Sequence, residues 1–339
     1  RSKEPLPTFS MGFDHTSFDE TDAANTVAKL LRSQHTTLKF GSSDLESTMA
    51  EITAKMGEPL SDSSLPATWL LSKAISAAGF KVAMSGDGAD EHLGGYPTYF
   101  AHQLADKVSA GKGVIGRFAN MLPASTDNLS RGYKARRFSH GLNQPLHRRN
   151  QIWLGAFLPN ELNELGASGS PWATVDRWGK IAATASSSGQ GAMFLDQRLY
   201  LADGVLTKVD RASMAHSLEV RSPFLDHQLI EFIARLPKSS LWRGTNTKVI
   251  LRKMLKKQMP KAIVNRPKKG FGTPVGAYLA GSLSSILASL PEQLEGLIRP
   301  ELVIRLTSEH ISGHRDHRRR LWTLITLAMW YRGPWGPKG

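Results

Sequence analysis

Short apolar runs alternate with helix-period segments through the first third of the chain. Thr8-Phe9-Ser10-Met11-Gly12-Phe13 alternates and ends at a glycine and an aromatic, the pattern of a short strand. Asp19 and Glu20 then open a predicted helix whose apolar stripe is Ala23, Ala24, Val27, Ala28, Leu30 and Leu31. Thr36 to Phe40 reads as a second strand, and Ser42 or Ser43 caps a helix reaching Met56. Ser63 to Ala78 predicts another helix, stopped by Gly79. Lys81-Val82-Ala83-Met84 is a third strand that runs straight into glycines. Short strands alternating with helices imply parallel strands joined by right-handed crossovers, hence an α/β fold with a doubly wound parallel sheet. Ligands of such sheets bind at the carboxyl ends of strands, which singles out Met11-Gly12 and Ser85-Gly86.

Beyond about Gly111 the pattern turns helical. Gly132 to Asn150 is basic and weakly periodic, and the tract to Leu195 carries Trp153, Trp172 and Trp178 among helical stretches. Further helices are predicted at Gln228 to Leu236, Lys248 to Gln258 and Arg319 to Tyr331. Gly166 to Ser170 and Ser186 to Gly191 read as flexible loops, and Gly333 to Gly339 as a fraying end. The organisation expected is an α/β nucleotide-binding core over residues 1–110, a helical region over 111–195, and a helical remainder over 196–339 that completes the site.

Composition narrows the chemistry. Of 339 residues, 40% are hydrophobic and 21% charged, the balance of a folded, soluble chain. No apolar stretch approaches the length that crosses a bilayer, and Arg1 to Pro5 has no apolar run behind its charges; a cytoplasmic protein is expected, with no membrane partner. There is no cysteine, which excludes disulfides, thiolate metal sites and a thiol nucleophile within this sequence. A net charge of +14 favours anionic partners. Arg131 to Arg149 and His314 to Arg320 are the basic runs that raise nucleic acid as an alternative, although such runs usually form solvated faces. His310, His314 and His317 have helix-like spacing, yet they sit among arginines with no evident carboxylate partner, so a solvated face is favoured over zinc.

The densest chemistry follows the third strand, in Ser85-Gly86-Asp87-Gly88-Ala89-Asp90-Glu91-His92-Leu93-Gly94-Gly95-Tyr96. Gly86 and Gly88 allow a tight turn close to a ligand. Asp90 and Glu91 fall in the first turn of the next helix. Three carboxylates beside a nucleotide make sense when Mg²⁺ lies between, since that ion takes one or two carboxylates plus phosphate oxygens. The alternative is a glycine turn with a helix cap.

This stretch resembles the Ser-Gly-(Glu/Asp)-Gly-x-Asp-Glu-x-x-x-Gly-Gly-Tyr signature of the asparagine synthetase family. Leu218-Glu219-Val220-Arg221-Ser222-Pro223-Phe224-Leu225-Asp226 resembles its second block, and Val264-Asn265-Arg266-Pro267-Lys268-Lys269-Gly270-Phe271-Gly272 a third. The likeness runs from about Pro7 to Tyr331, with the blocks in the family's order. It implies an adenine-nucleotide pyrophosphatase domain with ATP and Mg²⁺ as cofactors. In the implied reaction a substrate carboxylate, aspartate in this family, attacks the α-phosphorus of ATP, and pyrophosphate leaves. Ammonia then displaces AMP from the acyl-adenylate. Such chemistry depends mostly on positioning and charge neutralisation.

Carried onto this sequence, the resemblance assigns ATP binding to Met11, Gly12, Ser85 and Gly86. Ordinary core packing is the alternative for Met11. Asp90 is the metal-ligand candidate. Asp87, at the carboxylate or incoming amine, and Lys268, at the α-phosphate, are the catalytic candidates. A helix cap and a solvated loop lysine are their respective alternatives. Arg221 binds an anion or pairs with Asp226 or Glu219, the ion pair being favoured, and Glu58 and Asp62 are candidate substrate contacts.

Two family parts have no counterpart here. Nothing before Thr8 resembles the phosphate-binding Ser-Gly-Gly-x-Asp-Ser loop and its strand, and the family's amino-terminal glutaminase cysteine is absent. The expectation is the larger carboxy-terminal portion of a synthetase, dependent on a glutaminase portion for ammonia and weak in ATP binding and turnover alone. An unpaired place in its sheet would then favour aggregation or a partner, and a homodimer is compatible with the sequence. A sugar-acid or other carboxylate acceptor, and an inactive remnant, are the alternatives.

Overall fold

The structure is a computed structural model that describes residues 4–108, 115, 121, 131–166, 170, 172–266 and 270–337. The chain divides into two compact units. One gathers Arg1–Ile52, Ser64–Pro97 and Leu201–Thr273, and the other Thr53–Ser63, Thr98–Tyr200 and Pro274–Gly339. This partition differs from the boundaries expected at 110 and 195, because 201–273 returns to the α/β unit to supply a strand.

In the first unit, strand β1 (Pro7–Phe13) leads through helix α1 (Thr21–Leu31) to β2 (Gln34–Phe40). The two strands pair in parallel, with Met11 opposite Leu38 and Phe13 opposite Phe40. Helices α2 (Ser42–Lys55) and α3 (Leu65–Ala77) follow, then β3 (Val82–Met84). The partner of β3 is β4 (Glu219–Arg221), also parallel, with Met84 opposite Arg221. The strand–helix alternation read from the hydrophobic pattern is thus present, element for element. The single doubly wound sheet is not: among the described residues the strands form two separate parallel pairs. Parallel strands are ordinarily covered on both faces, yet Val82 and Met84 are 43% and 69% exposed. Core anchors of this unit include Phe40, Leu65, Trp69 and Leu218, all nearly or fully inaccessible.

Among its described residues, the regular elements of the second unit are all helices. Trp153 stacks on Phe138 at 5.6 Å between ring centres and packs with Ala105, Leu142 and Ile152. The loop expected at Ser186 to Gly191 is instead the start of a helix, Ser188–Leu195. Ser187 caps it by accepting from the Gln190 amide, so the serine-glycine run is a helix start. The predicted loop at Gly166 to Ser170 lies largely outside the described residues. The tail expected to fray is tied through residue 335, whose indole donates to the Ala54 carbonyl at 3.1 Å. Among the described residues, no helix is long and apolar enough to cross a membrane.

A buried polar chain crosses this unit. Arg149 Nε donates to His102 Nδ1, so the imidazole proton sits on Nε2 and is donated to Asn150 Oδ1 at 3.0 Å. Asn150 in turn donates to Asp196. Burial, reinforced by the nearby Arg149 charge, pushes His102 down to about 3. Unfolded histidine takes up a proton near pH 6.5, which the folded one refuses until about pH 3. Stability from this group is therefore complete above pH 6.5 and declines as pH falls through that window. Thermal melts should lose about 2 kcal/mol from this source between pH 7.5 and pH 5. His102→Gln should flatten that portion of the pH dependence; an unchanged slope would remove His102 as its source.

Candidate active site

The turn after β3 is held against the second block. The Ser85 amide donates to the Arg221 carbonyl at 2.9 Å, extending the β3–β4 pairing by one residue. The Ser85 hydroxyl donates to Asp87 Oδ2 at 2.7 Å and lies 2.5 Å from the Ser222 hydroxyl. Gly88, at φ +83°, begins the short helix α4 (Ala89–Leu93), and a Cβ there would stand 2.4 Å from Leu225 Cδ2. That contact and that φ both require glycine. A Cβ on Gly86, by contrast, would meet no atom within 4 Å, so the turn is open on that side.

Asp90 lies in the first turn of α4 and meets the Lys248 ammonium at 2.9 Å, both side chains being mostly covered. Gly95 makes this possible: a Cβ there would sit 1.8 Å from Asp90 Oδ1 and 2.6 Å from Lys248 Cε. The neighbouring Glu91 is buried and accepts from the Tyr96 hydroxyl at 2.6 Å. In the structure a lysine therefore occupies the position of positive charge assigned to a metal. Among the described residues no three His, Asp or Glu side chains converge as a metal cage. The residues fit a magnesium ion that arrives on phosphate oxygens and uses one or two carboxylates, and do not fit a resident ion.

The other strand end is built differently. Met11 is 5% exposed, its side chain packed in the core. At Gly12 a Cβ would approach Thr21 Oγ1 to 2.6 Å, since Asp19 gathers the Thr21 hydroxyl, the Thr21 amide and the Phe13 amide around this strand end. Burial alone would raise the Asp19 carboxyl, but these hydrogen bonds hold it below its ordinary value.

The third block comes to the same place. Arg266 pairs with Glu20 at 2.8 Å, and the Phe271 ring lies 6.2 Å from that of Phe13. Arg252 fixes the approach from behind by donating to the carbonyls of Thr247, Val264 and Arg266. Lys268, between these anchors, lies outside the described residues. Arg221 donates to Glu219 at 2.8 Å as an exposed pair, while Asp226 caps the helix His227–Ala234. The ion-pair reading of Arg221 thus resolves to Glu219. Glu58 and Asp62 fall in the segment that belongs to the second unit. Sequence reasoning missed Lys248, Ser222 and Arg252. Ser222 was available inside the second block, whereas nothing local distinguishes Lys248 or Arg252 from the other basic residues around them.

The family model described as Asparagine synthase matches residues 1–332. The chain belongs to the asparagine synthase family. A Mycobacterium bovis protein whose name carries "asparagine synthetase [glutamine-hydrolyzing]" is 28% identical over 341 residues, covering 98% of this chain and 51% of the relative. Asparagine synthetase [glutamine-hydrolyzing] 1 of Bacillus subtilis is 25% identical, covering 96% and 52%. Amidase chry2 of Gibberella zeae is 25% identical over 320 residues, covering 84% and 46%. This asparagine synthase family chain therefore spans about half the length of the curated relatives it matches.

Proposed function

We propose that the chain is the synthetase portion of an ATP-dependent amide-forming ligase that converts aspartate to asparagine through a β-aspartyl-AMP intermediate. Ammonia would come from glutamine, through a portion outside this sequence. The observation that carries the reading is the meeting of blocks distant in sequence within one unit. The Ser85–Tyr96 turn lies on β4 of the Leu218–Asp226 block, and Arg266 and Phe271 of the Val264–Gly272 block are held beside the end of β1.

In this reading the open side of Gly86 admits the nucleotide, and the Ser85 and Ser222 hydroxyls orient Asp87 toward the acceptor carboxylate or the incoming amine. Asp90 holds positive charge against the phosphates. Magnesium bound there would neutralise the departing pyrophosphate. Lys248 stands in as the cation when no nucleotide is present, and Lys268 meets the charge that develops at the α-phosphorus. One more parallel strand, carrying a phosphate-binding loop between β1 and β3, would join the two pairs into the doubly wound sheet. The exposure of Val82 and Met84 supports it, as does the Phe9–Phe80 ring contact at 5.7 Å that keeps the pairs side by side. Cytoplasmic residence accompanies this reading.

The test uses the natural polypeptide. Pyrophosphate release from ATP should require aspartate and magnesium, and hydroxylamine in place of ammonia should trap aspartyl hydroxamate. A second reading, favoured by the amidase-named relative, keeps the chemistry and changes the acceptor. Release driven by another carboxylate and not by aspartate would select it. No carboxylate-dependent release at all would remove both.

A further inference from the structure

The two basic segments, 131–149 and 314–320, are far apart in the chain but meet in the second unit around one cavity of about 610 Å³. Seven arginines and three carboxylates line it. Each carboxylate is already engaged: Glu161 by Arg320, Asp316 by Arg318 at 2.7 Å, and Glu309 by His317 at 2.6 Å. Glu309 is also a carboxylate partner that the sequence reading of these histidines did not foresee, and His310 is bonded to the Gly276 carbonyl.

Two guanidiniums are left with neutral partners. Arg137 donates to the Tyr133 hydroxyl and the Gly155 carbonyl, and Arg319 to the Leu154 carbonyl at 2.7 Å. Among the described residues neither has a carboxylate. Both lie over the Tyr133 ring, 5.8 and 5.7 Å from its centre. Burial alone would raise the Tyr133 phenol, but Arg319 and Arg137 together pull it below its ordinary value. The His140 Nδ1 atom, on the same wall, is buried with no hydrogen-bond partner among the described residues. Arg318, Arg319 and Arg320 also crowd the first turn of the helix Arg318–Arg332, where the helix dipole disfavours cations. Arg137 is half-buried and Arg319 exposed; arginines gathered without anionic partners repel one another, and an arrangement of several calls for an anion.

We propose that this cavity binds a small, multiply phosphorylated anion, held by Arg137 and Arg319 at Tyr133 and by Arg315 on the cavity wall. Guanidinium forks match phosphate oxygens in pairs, and the excess of arginines over carboxylates demands more than one negative charge. The concave shape favours a compact ligand over a nucleic-acid strand. The Tyr133 ring, already covered by guanidiniums, offers no platform for stacking bases. The site lies in the second unit, shares no residue with the β3 turn, and does not depend on the synthetase reading.

Calorimetric titration of the full chain with inorganic tripolyphosphate, in magnesium-free buffer, tests the assignment. Arg319→Ala and Arg315→Ala should each weaken binding about tenfold, while Arg235→Ala, at an exposed arginine of the first unit paired with Glu231, leaves it unchanged. Thermal melts show whether each variant is folded. Unchanged affinity in both arginine variants would overturn the proposal. So would equal stabilisation by sulfate at matched ionic strength, which is charge screening. Binding of short RNA with steep salt dependence and none of tripolyphosphate would replace the small anion with a nucleic acid.

Discussion

Asp90→Asn in the natural polypeptide is expected to lower aspartate-dependent pyrophosphate release on the order of 10³-fold. Asparagine keeps the shape of the side chain and removes the charge that faces Lys248 at 2.9 Å. In the proposed reading the developing phosphate charge then loses the carboxylate that would hold its metal. The same change strands a mostly covered ammonium, which costs about 1–2 kcal/mol of stability. The two consequences separate in the Asp90→Asn, Lys248→Met double variant. Removing the stranded charge should restore the melting temperature and leave turnover low. Recovery of turnover in the double variant would show that Asp90 serves the ion pair alone.

The second large effect belongs to a positioning residue. Arg252 donates to three carbonyls, those of Thr247, Val264 and Arg266, and so ties the third block to the helix Val249–Leu255. Charge-assisted bonds of this kind are individually strong. Arg252→Met keeps the length of the side chain and loses all three, at an expected cost of about 3 kcal/mol. If the loop closes on ATP, the KM for ATP rises about tenfold as well, because positioning is lost along with stability. Arg252→Lys, which retains a charge and a single donor point, should recover part of the stability and little of the KM. A destabilised variant with an unchanged KM would confine Arg252 to holding the fold.

Much of the site could be read before any coordinates. Period-2 and period-3.6 patterns located β1, α1, β2, α2, α3 and β3 within a few residues, since each element buries one apolar face and local periodicity records that face. The acidic first turn of α4 was legible for the same local reason: spacing from a glycine stop places Asp90 and Glu91 on the helix. Ser186 to Gly191 misled because serine and glycine serve both loops and helix starts, and only packing against neighbouring helices separates the two.

What local pattern cannot encode is which distant groups meet. Lys248 pairs with Asp90 across more than 150 residues, and Arg252 finds its carbonyls only because the chain turns back on itself. The pairing of β3 with β4, the exposure left on Val82 and Met84, and the gathering of two remote basic runs around Tyr133 are likewise products of tertiary contact. Residue order determined the elements, the glycine turn and the family blocks, through torsional preference and hydrophobic period. Charge partnership and burial depend on three-dimensional neighbours, so ion pairs, the buried His102 relay and the arginine cavity were decided only when the chain folded.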